Sequence, residues 1–196
     1  MAKFLLSTLL VLVISAGALS FPGNPGLTRA DGDSTAIIEG KISLLAGLIY
    51  QRLALSKDVA AWKSINKVPI EDIVREEEII KYQVQSAVQM NLDTALVKNF
   101  FLKQIKASKI IQNYYINIVF KDSVVTEAND LEYVTRPAIN HINNHMLLAV
   151  RDIKDYLQQE KWRVYFENEI RQRINNLNLQ NTRVKNSLIF LLIKLN

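Results

Sequence analysis

The chain has 196 residues, 49% of them hydrophobic and 22% charged, which excludes a disordered or collagen-like protein and leaves room for one domain, at most two small ones. It contains no cysteine, which excludes disulfide scaffolds, zinc–thiolate sites, iron–sulfur clusters and cysteine nucleophiles. Lys and Arg outnumber Asp and Glu by 24 to 19, a mild excess that suits anionic partners but lacks the clustering of a nucleic-acid-binding protein.

The first 20 residues have the pattern of a secretory signal peptide. Lys3 supplies a positive charge, residues 4–16 are uncharged and almost wholly apolar, and Ala18 and Ser20 are small residues at the positions that a signal peptidase reads. The apolar run is shorter than the roughly 20 residues that a membrane-spanning helix needs. A turn-forming segment rich in Pro and Gly follows at 21–26. We therefore expect a cleaved leader rather than a membrane anchor.

The remainder of the chain is predicted to be helical. We expect a flexible segment at 21–33 and a single all-helical domain at 34–196, because apolar residues recur at the spacing of a helix face and no alternating β-branched runs occur. Proline and N-cap signals at Pro69, Asp93, Thr135 and Pro137 separate the segments. The first predicted helix runs from residue 33 through 62, and the second from near 67 to about 90. The third runs from 94 to near 121, and the fourth from 135 to about 159. Two shorter helices are predicted near 161–177 and 182–195.

Two cations stand on the apolar face of the first predicted helix. Arg52 and Lys63 are eleven residues apart, which is three helical turns, so both project from nearly the same side. Two cations on one face favour an anion between them. The alternative is that both side chains extend to solvent, which is common for Lys and Arg.

Polar residues also share faces of the second and third predicted helices. Asp72, Arg75 and Glu76 form a D-x-x-R-E set at i, i+3 and i+4, which is also the spacing of a surface ion-pair cluster. The third predicted helix carries an uncharged polar stripe beside its apolar one. Its members are Gln104, Ser108 and Gln112, whereas Lys103, Lys106 and Lys109 take the positions that we expect to face water.

The order of these residues resembles the AroQ-type chorismate mutases. The matching elements are Arg52, the lysine of VAAWK at 59–63, the D-x-x-R-E of PIEDIVRE at 69–76, and the serine followed four residues later by glutamine in QIKASKIIQ at 104–112. The segment TRPAINHINNHML at 135–147 resembles the second-half signature of the secreted gamma subclass, as does the leader. Some secreted members carry a disulfide, which this chain lacks, and beyond about residue 159 the likeness is one of architecture only.

This resemblance implies an all-α bundle of about six helices. It also implies a homodimer that is periplasmic or secreted and that binds neither nucleic acid nor a membrane in its mature form. The implied reaction is the conversion of chorismate to prephenate in aromatic amino acid biosynthesis, without a cofactor. Arg52 and Arg136 would bind the substrate carboxylates, and Arg75 would line the same pocket. Lys63 and Gln112 would donate hydrogen bonds to the ether oxygen, so that Lys63, Gln112 and Arg52 carry the catalysis.

The same resemblance gives three supporting roles. Glu76 would accept a hydrogen bond from the ring hydroxyl, Ser108 would contact a substrate carboxylate, and Asp72 would orient the cation beside it. Whether these three side chains touch substrate or only support the pocket stays open at this point.

Two rival functions also stay open. One is an isochorismate-pyruvate lyase, which uses a similar pocket, and the other is a non-catalytic exported helical module. The retained cations of the predicted pocket argue against a non-catalytic module. Buried charges are costly unless a ligand matches them, so a module without chemistry would be expected to lose them. His141 and His145 have an i, i+4 spacing that suits zinc, but Ile142 stands where H-E-x-x-H requires Glu and no third ligand is apparent, so no metal site is predicted.

Overall fold

The computed structural model describes residues 29–122 and 124–193, with side chains from residue 34 onward, and these residues form an all-helical domain. The predicted all-α class is confirmed. The predicted signal peptide at 1–20 lies outside the described residues. The described α-helices are α1 Arg29–Ala54, α2 Ser56–Asn66, α3 Ile73–Gln89, α4 Thr94–Tyr114, α5 Arg136–Ile153, α6 Glu160–Asn175 and α7 Thr182–Leu192.

The first predicted helix is two helices, with a break at Leu55. Hydrogen bonds continue across it, from Leu55 N to Gln51 O at 3.3 Å and from Val59 N to Leu55 O at 3.1 Å. Leu55 itself keeps a right-handed conformation, with φ −64° and ψ −15°. The break is therefore a kink that the apolar periodicity does not reveal. The described residues thus form seven α-helices, where about six were expected.

Several predicted boundaries shift by a few residues. Helix α1 begins at Arg29, inside the segment at 21–33 that the sequence predicts to be flexible, because adding a turn to a helix already held by packing costs little. At its far end, α4 gives way to a π-helical turn, Tyr115–Val119, and a second such turn, Leu131–Thr135, leads into α5. Helix α5 ends at Ile153, and a 3₁₀ turn, Tyr156–Gln158, separates it from α6.

One hydrophobic core joins the helices. Helix α1 packs against α5 and α6, and α4 packs against α2, α3 and α7. The apolar positions predicted for the first and third helices supply much of this core, and the largest fully buried side chains include Ile42, Leu45, Ile49, Leu53, Phe101 and Ile111. No described helix is both long enough and apolar enough to cross a membrane.

The last two helices are attached to the bundle without a disulfide. Trp162 and Phe166 of α6 and Leu188 of α7 are buried in the common core. Two tyrosines at the end of α4 add hydrogen bonds to the α6–α7 connection: Tyr115 Oη donates to Asn178 O at 3.1 Å, and Gln180 N donates to Tyr114 Oη at 3.1 Å. Packing and these hydrogen bonds between tyrosine side chains and the backbone thus hold the last two helices in a chain without cysteine.

A left-handed residue ends α2 and directs the chain toward α3. Lys67 has φ 54° and ψ 37°. Its N–H donates to Ser64 O at 3.4 Å, and Val68 N donates to Lys63 O at 3.1 Å, which is the Schellman pattern of a helix C-terminus. Glycine usually occupies such a position because its lack of a Cβ removes the steric cost of the left-handed region.

We therefore expect Lys67→Gly to raise the free energy of unfolding by about 1 kcal/mol, since the lysine side chain is exposed and has no ion pair with another described residue. Urea unfolding measures the change. Lys106→Gly, an exposed position inside α4, is the matched control and should lose about 1 kcal/mol. Equal effects of the two substitutions would contradict the assignment of strain to Lys67.

Candidate active site

All eight residues that the sequence nominates line one cleft. The cleft lies between the α1–α2 kink, α3, α4 and the start of α5. The nominated residues found there are Arg52, Lys63, Asp72, Arg75, Glu76, Ser108, Gln112 and Arg136. Apolar side chains, among them Val59, Ile79 and Ile139, form the rest of the wall together with Lys109.

Arg52 is a buried cation held by uncharged groups. It lies in the last turn of α1 with 3% of its surface exposed. Its Nε donates to Asn143 Oδ1 at 2.9 Å and its Nη1 donates to Gln104 O at 2.8 Å. Burial, and then the charge of Arg75, lower the pKa of Arg52 to about 10, so the guanidinium remains charged at neutral pH.

Lys63 is the second cation without an ion-pair partner. Its side chain is 6% exposed, and its Nζ donates to the backbone oxygen of Ile70. Burial lowers the pKa of Lys63, and the nearby charge of Asp72 partly opposes that shift. Within the described part of the chain, no carboxylate oxygen lies within 4 Å of the charged nitrogens of either Lys63 or Arg52.

The D-x-x-R-E set connects α3 to α5. Asp72 caps α3, because its Oδ1 accepts from Arg75 N at 3.2 Å, and its Oδ2 accepts from Arg136 Nη2 at 2.6 Å. Arg136 also bonds Glu132, while Arg75 bonds Asn140 and lies 3.3 Å from a carboxylate oxygen of Glu78. Asp72 therefore bonds the side chain of Arg136, while its charge also acts on Lys63.

Lys109 lies at the cleft with 30% of its side chain exposed, so it faces water only in part, contrary to the expectation. Its Nζ donates to Glu76 Oε2 at 2.9 Å and lies 3.5 Å from Glu71 Oε1. Burial lowers the pKa of Lys109, but hydrogen bonds and charge from both glutamates outweigh burial and raise it overall. The difference arises because the carboxylates of Glu76 in α3 and of Glu71 just before it lie beside α4. Lys106 is exposed as predicted.

The uncharged polar stripe of α4 is buried. Ser108 Oγ lies 2.7 Å from Ser56 Oγ, and Gln112 Nε2 donates to Ser108 Oγ at 3.3 Å. Gln112 Oε1 is buried and has no hydrogen-bond partner among the described residues. Gln104 is buried behind the cleft and supports Arg52 through its backbone oxygen.

Four residues at or behind the cleft were not nominated from the sequence: Ser56, Lys109, Asn140 and Asn143. Asn140 and Asn143 could have been found from the sequence, because they share one face of α5 with Arg136 at i, i+4 and i+7. Ser56 and Lys109 gave no such signal, because their partners belong to other helices. His141 and His145, with ring centroids 4.3 Å apart, are exposed on α5 and do not line the cleft.

The cleft is electropositive. Among the residues that line it, five are cations and two are carboxylates. Both carboxylates already accept hydrogen bonds from lining cations, Asp72 from Arg136 and Glu76 from Lys109. The arrangement therefore suits a small ligand with more than one negative charge, enclosed by apolar walls.

Comparison with known families agrees with this geometry. The profile of the family described as chorismate mutase type II matches residues 43–113, which include every nominated residue except Arg136. Over residues 43–113 the chain is therefore similar to the type II chorismate mutases. Its all-helical architecture is the AroQ fold.

Two curated chorismate mutases are similar in sequence. The secreted chorismate mutase of Yersinia pestis is 37% identical over 82 residues, covering 42% of this chain and 44% of that protein. The secreted chorismate mutase of Mycobacterium tuberculosis strain ATCC 25618/H37Rv is 31% identical over 138 residues, covering 68% of this chain and 64% of that protein. The matched region thus spans about half to two thirds of these relatives.

Two solved chorismate mutases are similar in structure. The protein from Burkholderia thailandensis has a TM-score of 0.70 and 26% identity, covering 80% of this chain and 99% of that chain. The secreted chorismate mutase of Yersinia pestis has a TM-score of 0.61 and 25% identity, covering 76% of this chain and 94% of that chain.

Proposed function

We propose that this protein is a chorismate mutase that rearranges chorismate to prephenate. One observation carries the proposal: the cleft holds Arg52 and Lys63 as buried cations without a carboxylate partner among the described residues, inside the region that is similar to the chorismate mutases. Uncompensated buried charge is unfavourable in a folded protein unless a ligand of opposite charge uses it. Chorismate carries two carboxylates and fits that requirement.

The reaction defines what the cleft must do. Chorismate rearranges in a single unimolecular step in which a C–O bond breaks while a C–C bond forms, so no proton transfer is needed. The substrate must be held in a compact conformer, and negative charge that grows on the ether oxygen must be stabilised. Positioned cations and hydrogen-bond donors in a site shielded from water serve both purposes.

Arg52 and Arg136 are the carboxylate ligands in this proposal. Their planar guanidinium groups bind a carboxylate through two parallel hydrogen bonds, which Lys cannot do. Bonds to Asn143 and Gln104 fix Arg52, and bonds to Asp72 and Glu132 fix Arg136. Arg75 lines the cleft between them, Ser108 contacts a substrate carboxylate, and the remaining acceptor capacity of Glu76 serves the ring hydroxyl.

Lys63 and Gln112 are the donors to the ether oxygen. Lys63 supplies a charged donor and Gln112 supplies an amide N–H, from α2 and α4 respectively. Lys63 has three N–H donors and uses one of them for Ile70 O, so its ammonium keeps donors for the ether oxygen without giving up that bond.

Export and assembly extend the proposal. Relatives named as secreted, together with the leader-like residues 1–20, support export to the periplasm or beyond and removal of that leader. The family resemblance supports a homodimer in which each active site is built from one chain. Light scattering on the purified protein measures the oligomeric state, and a monomer would contradict the dimer.

A direct assay tests the activity. Residues 21–196 are purified and given chorismate without metal or cofactor, the loss of its ultraviolet absorbance is followed, and prephenate is confirmed after acid conversion to phenylpyruvate. Turnover supports the proposal. Absence of turnover in a folded, helical protein contradicts it, and isochorismate is then the substrate to test for lyase activity.

The turnover number should be nearly constant between about pH 5 and 8, because an amide donates at any ordinary pH. Above that range kcat should fall as Lys63 loses its proton, at a pH below the ordinary value of 10.5 because burial lowers its pKa. Gln112→Glu should instead lose activity as pH rises within the range, since a carboxyl donates only when protonated. A steep alkaline fall in the unmodified enzyme between pH 5 and 8 would remove Gln112 from this role.

A further inference from the structure

Arg52 is anchored by two neutral acceptors from other helices. Asn143 Oδ1 on α5 accepts from Nε at 2.9 Å, and the Gln104 backbone oxygen on α4 accepts from Nη1 at 2.8 Å. These two bonds fix the plane of the guanidinium, and no described residue accepts a hydrogen bond from Nη2. The anchors hold the group in place without cancelling its charge.

Asn143 is not the residue that would stabilise the fold best at this position. It is 1% exposed, and its Nδ2 is buried without a hydrogen-bond partner among the described residues, which is unfavourable. An aspartate of nearly the same size would accept the same bond from Arg52, would leave no donor unpaired, and would neutralise a buried charge. The amide therefore serves something other than the stability of the fold.

We propose that Asn143 is a positioning residue whose neutrality keeps the charge of Arg52 available to a carboxylate of the substrate. The inference rests on the proposed function. Asn143 does not line the cleft, so it acts through Arg52. A carboxylate at 2.9 Å from the guanidinium would compete with the substrate for the same charge, because two anions cannot both gain its full attraction in a buried site.

Asn143→Asp is the decisive variant, and Asn144→Asp is its matched control. Asn144 is the next residue on α5, is exposed, and bonds Gln83 instead of Arg52, so the control adds the same charge beside the same helix without touching the guanidinium. Three quantities are measured on each variant and on the unmodified enzyme. They are kcat and KM for chorismate, the Kd of a bicyclic dicarboxylate that mimics the transition state, and the urea midpoint of unfolding.

We expect opposite effects of Asn143→Asp on binding and stability. KM and the Kd of the dicarboxylate should rise by about tenfold or more, with a smaller change in kcat, because Arg52 holds the carboxylate in both the ground and the transition state. The urea midpoint should equal or exceed that of the unmodified enzyme. A residue that served only the fold would move affinity and stability in the same direction. Asn144→Asp should change KM less than twofold.

Either of two results overturns the inference. A KM for Asn143→Asp within twofold of the control shows that neutrality is not required, and a lower urea midpoint shows that the carboxylate is not the better structural partner. Both results leave the proposed function standing, since the unmodified enzyme and Asn144→Asp turn over chorismate in either case. Failure of the proposed function is seen separately, as an unmodified enzyme that folds without turning over chorismate.

Discussion

Lys63→Ala is expected to lower kcat for chorismate by at least about a hundredfold, because removal of one preorganised donor to a developing negative charge typically costs about 2.7–4 kcal/mol of transition-state stabilisation. Lys63 is the charged donor at the proposed ether-oxygen position, and its burial concentrates its field on the cleft. Gln112→Ala removes the second donor and should cause a loss of similar size. Steady-state kinetics on the purified variants measure both effects.

Lys57→Ala is the control for the first substitution. It removes an exposed lysine from the same helix, α2, and should leave kcat within a factor of about two, as surface substitutions away from the site usually do. Circular dichroism establishes that Lys63→Ala is folded, since the substitution removes both the desolvation cost of the lysine and its hydrogen bond to Ile70 O. A loss under fivefold in a folded Lys63→Ala protein would mean that the donor is misassigned.

Arg52→Lys is expected to lower kcat/KM by about a hundredfold or more although it conserves the charge. Lysine has no planar fork, so it cannot keep the bonds to Asn143 and Gln104 while offering a further pair of donors to a carboxylate. Loss of a buried, hydrogen-bonded charge contact typically costs about 2–5 kcal/mol. Arg52→Ala should be inactive as well, but it also leaves two buried acceptors unpaired and so tests stability together with binding.

The control is Arg171→Lys, which makes the same exchange at an exposed position paired with Glu167 on α6. Its kcat/KM should match that of the unmodified enzyme. Circular dichroism and urea unfolding confirm that both variants are folded. An Arg52→Lys protein with a kcat/KM within fivefold of the unmodified enzyme would show that a positive charge alone suffices. The paired hydrogen bonds from the guanidinium to the substrate carboxylate would then play no part.

The helices and their caps could largely be predicted from the sequence because those features are local. Apolar spacing identified the buried faces of α1 and α4, and Asp93 caps α4 as predicted. The predicted cap at Thr135 makes no side-chain hydrogen bond, and α3 begins after Asp72 rather than near residue 67. The kink at Leu55 could not be predicted, since the apolar period runs through it and the backbone hydrogen bonds continue on both sides.

The eight nominated residues came from their order along the chain and from the family resemblance, not from periodicity alone. The helical spacing predicted that Lys109 faces water. A periodic pattern identifies the faces of a single helix, so it cannot show that another helix places carboxylates beside one of them. Lys109 meets Glu76, which is 33 positions away in the chain. Asn143 shares a face of α5 with Arg136, but its bond to Arg52, which is 91 positions away, could not be predicted from that face.

The sequence by itself determined the helical class, the resemblance to the chorismate mutases and the residue types available for the chemistry, because these depend on composition, local periodicity and motif order. Only the tertiary structure decided which cations have a counter-charge: Arg136 and Lys109 are paired, whereas Arg52 and Lys63 are buried without a described carboxylate partner. Pairing and burial depend on which helices pack together, and Coulomb energies depend on distance in space and on the surrounding dielectric rather than on separation along the chain.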